Sequence, residues 1–168
     1  LWIAYSGDQG RTWGGPNTIT TNKFFEPSFV FSNGRLIGLV RENAAFAYHQ
    51  YVSDDLGENW RFVPKALQGD AGANHPSPFI VVDPSNPKRL LALQTERNKK
   101  RQIFLWQADV KTLKWRRLGL IVSQAEAEDF GYPWMSHLQG DDWFVVYYAG
   151  GKDGPNSIFG MNLTIPRE

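Results

Sequence analysis

Cysteine is absent from all 168 residues, so neither a disulfide nor a thiolate metal site is available, although that absence alone does not decide the compartment. No run of about 18 apolar residues occurs, and no segment reads as a membrane-spanning helix. Neither sign of charge prevails. The 18 basic and 17 acidic side chains leave a net charge of +1, too weak a field to indicate a nucleic-acid or acidic-membrane partner. Low-complexity tracts are missing, and Pro and Gly are spread among hairpin-sized segments rather than gathered in a linker, so the chain reads as one globular unit. Residues 1–5 lack a basic leader and a cleavage site and read as a strand, so no export signal is expected within the sequence. His49, His75 and His137 have no ligand-type spacing to one another or to paired carboxylates, and no metal or cofactor is expected. Sustained helical spacing is lacking as well.

What is present is a core-forming composition, 42% hydrophobic and 14% aromatic, and one short pattern written twice. Ser6-Gly-Asp8-Gln-Gly10-Arg-Thr-Trp13 and Ser53-Asp-Asp55-Leu-Gly57-Glu-Asn-Trp60 both read S-x-D-x-G-x-x-W. The residue types describe a tight hairpin: Ser and Asp bond backbone groups of the turn, Gly takes a conformation closed to other residues, and Trp packs beneath. Around these turns the apolar runs are four to eight residues long and closed by signals such as Ser32-Asn-Gly34, which predicts antiparallel strands. One four-strand set spans 26–31, 35–41, 46–53 and 60–63; a second spans 78–82, 89–95, 102–108 and 115–118. The closing turn of the second, 109–115, keeps Trp115 and loses the rest of the pattern. Three further strands, 132–138, 143–149 and 157–164, follow, and 1–5 with 17–20 flank the first turn. Trp13, Trp60 and Trp115 recur at spacings of 47 and 55 residues, a period suited to four-stranded repeats.

The paired S-x-D-x-G-x-x-W turns resemble the Asp-box of the sialidase-like β-propellers, where it joins the third and fourth strands of a blade on the face away from the active site. The implied fold is all-β, about three blades of a six-bladed ring of four-stranded antiparallel blades. Residues 1–20 would be the end of one blade, 24–63 and 76–118 full blades, and 130–165 a last, incomplete one. Four single residues match the family's chemistry in order and blade. Glu26, in Phe24-Phe-Glu-Pro-Ser-Phe, opens a first strand, where the family carries the glutamate that polarises its tyrosine nucleophile. Arg41 ends the next strand, as does an arginine of the family's carboxylate-binding triad. Arg101 enters the strand 102–108 in the place of another triad arginine, with Arg97 an equally available candidate in Glu96-Arg-Asn-Lys-Lys-Arg101. Tyr132, in Asp129-Phe-Gly-Tyr-Pro133, opens the last blade where the catalytic tyrosine belongs.

The chemistry that joins these residue types is coherent. Guanidinium groups grip a carboxylate through paired, charge-assisted hydrogen bonds. A neutral tyrosine can attack an anomeric carbon beside that carboxylate, with a glutamate taking its proton, where an anionic nucleophile would be repelled. The resemblance therefore implies the C-terminal half of a retaining glycoside hydrolase acting on sialosides, inactive alone, in a periplasmic or extracellular setting. The family's acid/base aspartate and remaining triad arginine lie on early blades that this sequence does not contain, and Pro133 and Trp134 follow Tyr132 where sialidases usually have a small polar residue. The alternative is a non-catalytic propeller that binds glycans or proteins. Either way the exposed end blades call for the missing propeller half or for self-association. Trp106, Trp134 and Trp143 are candidates to pack between blades or stack on a sugar. Asp54, Asp55, Glu58 and Asp70 read as turn and surface charges, and Asp141 and Asp142 sit in the last hairpin turn. Asn162-Leu-Thr164 matches a glycosylation acceptor but falls in a predicted strand.

Overall fold

The computed structural model describes residues 1–43, 47–70, 74–125, 128–150 and 154–166. Among these residues thirteen strands form four antiparallel sheets. The first pairs β1 (Trp2–Ile3) with β2 (Asn17–Thr18). The second runs in sequence order through β3 (Phe25–Ser32), β4 (Arg35–Arg41), β5 (Ala47–Ser53) and β6 (Arg61–Gln68). The third repeats that order with β7 (Phe79–Val82), β8 (Arg89–Glu96), β9 (Gln102–Asp109) and β10 (Trp115–Val122). The fourth holds β11 (Phe130–Gln139), β12 (Asp142–Gly150) and β13 (Asn156–Thr164). These are up-and-down blades of a β-propeller. Position 46, predicted to begin the third strand of its set, lies outside the described residues.

Two of the strands outrun their predicted ends by more than a single residue. β6 continues to Gln68 after Lys65 takes a left-handed φ of 51°, and β10 continues to Val122 through two register shifts. A bulge interrupts the alternation of residues without ending the pairing, which is why reading for period stopped short.

The core lies between the blades. Every residue of β8 is buried, and its alternate side chains serve two interfaces. Leu90 and Ala92 pack with Ile37, Leu39, Tyr48 and Trp106 toward the preceding blade, whereas Leu91 and Leu93 pack with Met135, Trp143 and Val145 toward the following one. A strand covered on both faces needs a solid apolar run, and Leu90-Leu-Ala-Leu93 supplies it. Each fully buried leucine there contributes about 1.5–3 kcal/mol of burial free energy. A third cluster, Ile103, Val122, Ala125, Phe130 and Ala149, closes the entry to β11. A buried ion pair between Arg89 and Asp83, 2.6 Å, with Arg89 Nη1 donating to the Pro166 carbonyl at 2.8 Å, ties the chain after β13 to the β7–β8 turn. The first strands lie side by side, β3 beside β7 and β7 beside β11, and Ile80 N–H donates to Ser28 Oγ at 3.2 Å.

The two repeated turns form the same hydrogen-bond set. Ser6 Oγ donates to Asp8 Oδ1 (2.8 Å) and accepts from Gly10 N–H (2.6 Å), while Asp8 accepts from Thr12 N–H (2.8 Å). Ser53, Asp55, Gly57 and Asn59 repeat these bonds at 2.7, 2.6 and 2.9 Å. Each Trp indole donates to the carbonyl of its own turn glycine, Trp13 to Gly10 and Trp60 to Gly57. The tryptophans then part company. Trp60 meets the edge of Phe29 at 5.6 Å, whereas Trp13 lies against its turn glycine but is 65% exposed, because the two-stranded sheet places no further strand over it. In the divergent turn, Asp109 Oδ1 accepts from Lys111 and Thr112 N–H, and Trp115 reaches back to donate to Gln50 Oε1 in the neighbouring blade at 2.7 Å.

Two outcomes are expected. Gly57 has φ +95°, and a Cβ there would come 2.1 Å from the Tyr5 hydroxyl, which donates to the Leu56 carbonyl. Gly57→Ala should therefore lose more than about 1 kcal/mol in urea unfolding, from backbone strain and the broken Tyr5 contact together. Asp8 and Asp55 titrate at about 2 rather than the ordinary 3.8, held down chiefly by hydrogen bonds from Thr12 and Asn59, respectively. A folded-state pKa below the unfolded one gives stability that is complete above the unfolded value and is lost as pH falls through the folded one. The urea midpoint should thus fall between about pH 4 and pH 2, and Asp55→Ala should make that fall shallower.

Candidate active site

Antiparallel order brings the starts of β3 and β11 and the ends of β4 and β8 to one end of the blades, opposite the repeated turns. Glu26 sits in β3 with a left-handed φ of 46°, inside the register shift between Phe25 and Ser28. Tyr132 sits in β11 with φ 49°, inside the shift between Gly131 and Trp134. Two non-glycine residues in this region of conformational space, each at the mouth of a first strand, mark stored strain where side chains are re-aimed. Gly131 makes the second bulge possible. Its φ is +132°, and a Cβ would lie 2.8 Å from Pro76 and 3.1 Å from Thr95.

The bulges bring together side chains 106 residues apart. Tyr132 donates its hydroxyl proton to Glu26 Oε1 at 2.5 Å, and Arg41 Nη1 donates to the other carboxylate oxygen at 2.6 Å. Arg41 is largely buried, its side chain 14% exposed, and its Nη2 reaches Asn74 Oδ1 at 3.5 Å. Burial disfavours ionised Glu26, but the hydrogen bonds from Tyr132 and Arg41, with the positive charges of Arg41 and Arg97, outweigh it and hold the pKa below 4.5. The same Glu26 hydrogen bond, with partial burial and the carboxylate charge, pushes the Tyr132 phenol above 10. The pair at neutral pH is thus a carboxylate accepting from a neutral phenol.

The guanidinium that faces Tyr132 is that of Arg97, 5.9 Å from its ring centroid, and not that of Arg101. Arg97 follows β8 directly and is held by a two-residue bridge to Asn74. Arg101 lies beyond the hairpin turn, with φ 53° and its backbone N–H bonded to Asn98. Spacing alone could not choose between the two, because the turn 98–100 rather than the strand decides which arginine stays at the strand end. The structure adds three residues that sequence reasoning did not assign. Asn74 bridges Arg41 and the Arg97 backbone, Tyr148 stands 5.8 Å from the Tyr132 ring, and Asp129 pairs with Arg97 at 3.1 Å. Tyr148 was findable by register, being near the end of a second strand, as Arg41 is. None of the candidate tryptophans is the ring beside Tyr132. Trp134 tilts onto Phe79 at 4.7 Å, Trp143 meets His137, and Trp106 donates to Gln94.

Next to this cluster a cavity of about 660 Å³ opens, bounded by Asn74, Arg97, Asn98, Lys100, Asp70 and Glu128. Among the described residues no group of three His, Cys, Asp or Glu side chains could hold a metal ion, and no helix is long and apolar enough to cross a membrane. The thermally and chemically simplest check of the pair is optical. Glu26→Gln removes the carboxylate whose hydrogen bond and charge raise the phenol pKa, so Tyr132 should ionise at lower pH, read as the difference in tyrosinate absorbance between otherwise identical proteins with and without Tyr132→Phe.

No protein-family model matches the sequence, and no curated protein matches it either. Solved structures do resemble it. A Dyadobacter fermentans protein of unknown function superposes with TM-score 0.78 at 21% identity, over 97% of this chain and 45% of that one. Trypanosoma rangeli sialidase in complex with the inhibitor DANA gives 0.74 at 21% identity, over 95% and 26%. Penicillium chrysogenum α-L-arabinanase complexed with arabinobiose gives 0.69 at 16% identity, over 98% and 55%. The chain spans between a quarter and about half the length of these structures. Its sheet order and these superpositions together show a β-propeller fold, shared with the sialidase and the arabinanase.

Proposed function

We propose that these residues form the C-terminal half of the catalytic domain of a sialidase-like retaining glycoside hydrolase, with Tyr132 as nucleophile, Glu26 as its base, and Arg41 and Arg97 as the carboxylate clamp. The observation that carries the reading is the Tyr132–Glu26–Arg41 relay, a phenol bonded to an ionised carboxylate on strained backbone at the end of the blades. The solved sialidase complexes with DANA and with sialic acid support a sialoside as the substrate class. Arg97 takes the clamp role expected of Arg101, on the strength of its approach to Tyr132.

In the first step the Tyr132 oxygen bonds to the anomeric carbon as the glycosidic C–O bond breaks, and the phenolic proton passes to Glu26. The leaving oxygen takes its proton from an acid that the resemblance puts on blades outside these residues. Water then attacks the anomeric carbon, giving a proton back to the group that served as the acid, and the tyrosine oxygen leaves with the proton returned by Glu26. Arg41 has two tasks, keeping Glu26 ionised and binding the substrate carboxylate. Further blades, from the same polypeptide or from a second copy, complete the site.

The test uses the natural polypeptide that carries these residues and a fluorogenic sialoside. Glu26→Gln and Tyr132→Phe should each lower kcat by roughly a hundredfold or more. A slow-reacting fluorinated sialosyl donor should leave one sialyl group on the peptide containing Tyr132. The acid limb of kcat/KM, set by ionisation of Glu26, should lie below pH 4.5 and move upward in Arg41→Ala. Glycan binding without turnover or labelling would overturn this reading in favour of a binding module.

A further inference from the structure

Arg97 is gripped from behind by groups that the proposed reaction does not use. Its Nε donates to the Phe130 carbonyl at 2.6 Å, and its Nη2 donates to the Tyr148 hydroxyl at 2.5 Å while lying 3.1 Å from Asp129 Oδ1. The Tyr148 hydroxyl donates its own hydrogen bond to Asp129 Oδ1, also at 2.5 Å. The hydroxyl has one proton, committed to the carboxylate, so its lone pair is what meets the guanidinium. Guanidinium, phenol and carboxylate close into one cycle.

The supports of that cycle are themselves fixed. Phe130 is fully buried in the cluster at the entry to β11, which immobilises the carbonyl that receives Nε. The Asp129 carbonyl accepts from Gly150 N–H at 2.7 Å, and Tyr148 pairs across the sheet with Gly131, the residue before Tyr132. The Tyr148 and Tyr132 rings lie 5.8 Å apart, and the Arg97 guanidinium stands 5.9 Å from both centroids. Among the described residues the cycle occupies the Nε–Nη2 edge of Arg97 and leaves Nη1 for a ligand.

We infer that Tyr148 and Asp129 are positioning residues that fix Arg97 beside Tyr132, setting which edge of its guanidinium a bound anion meets. The inference rests on Arg97 being a substrate-binding cation, and two measurements on the natural polypeptide let the two ideas fail separately. Without ligand, solvent exchange of the Arg97 Nε–H, followed by NMR, should be roughly tenfold faster in Tyr148→Phe, which keeps the ring, and in Asp129→Asn, which keeps the shape. Unchanged exchange in both variants would overturn the positioning role. With N-acetylneuraminic acid as the probe, calorimetry should show weaker binding in Tyr148→Phe but no further loss when that change is added to Arg97→Ala. An equal additional loss in both backgrounds would also overturn it. Wild-type binding in Arg97→Ala, or no binding by the wild type, would instead overturn the clamp reading and leave the exchange measurement to decide the positioning.

Discussion

A second strand covered on both faces is the constraint on which the structure depends. β8 has no solvent-facing side, because one set of its alternate residues packs toward the preceding blade and the other toward the following one. Polar groups are confined to its ends, and at one end stands a fully buried Glu96 whose desolvation raises its pKa despite the hydrogen bond from Asp70 N–H. Arg97 comes next, at the first position where a guanidinium can leave the apolar interface. Arg41, the last residue of β4, stands at the equivalent strand end. The arginines flank the site because the blade interiors cannot hold them.

That geometry converts packing into electrostatics. Neighbouring blades offer equivalent strand ends to one another, so cations from two second strands converge on groups carried by two first strands. Glu26 receives both Tyr132 and Arg41 and remains ionised although partly desolvated. The bulges in β3 and β11 matter as much as the charges, since a regular pleat would keep alternating the side chains between faces. The strain at Tyr132, φ 49°, is sustained by the core around Phe130 and by the close approach of Gly131 to Pro76 and Thr95.

Much of the architecture was legible in the chain. The range 35–41 appears as β4 without change, and Glu26, Arg41 and Tyr132 meet as their order along the blades implied. Legibility failed where a feature depended on what lies across an interface. Trp13 and Trp60 occupy identical turns, yet among the described residues only Trp60 finds an aromatic partner, since only it has a blade to pack on. Arg97 and Arg101 belong to one basic stretch, and the turn at 98–100 separates them. Asp129 and Tyr148 carry no local signal beyond their positions, because their role exists only in relation to Arg97.

The sequence by itself determined the repeated turns, since their hydrogen bonds run between residues two to four apart and need nothing beyond the right side chains in order. It determined the blades as well, through apolar runs whose length and solidity match strands covered on both faces. Only the tertiary structure decided the site. The Tyr132–Glu26 bond spans 106 residues and the Arg97–Tyr148 bond 51, so both depend on how blades dock and on where bulges turn the strands, which no local pattern encodes.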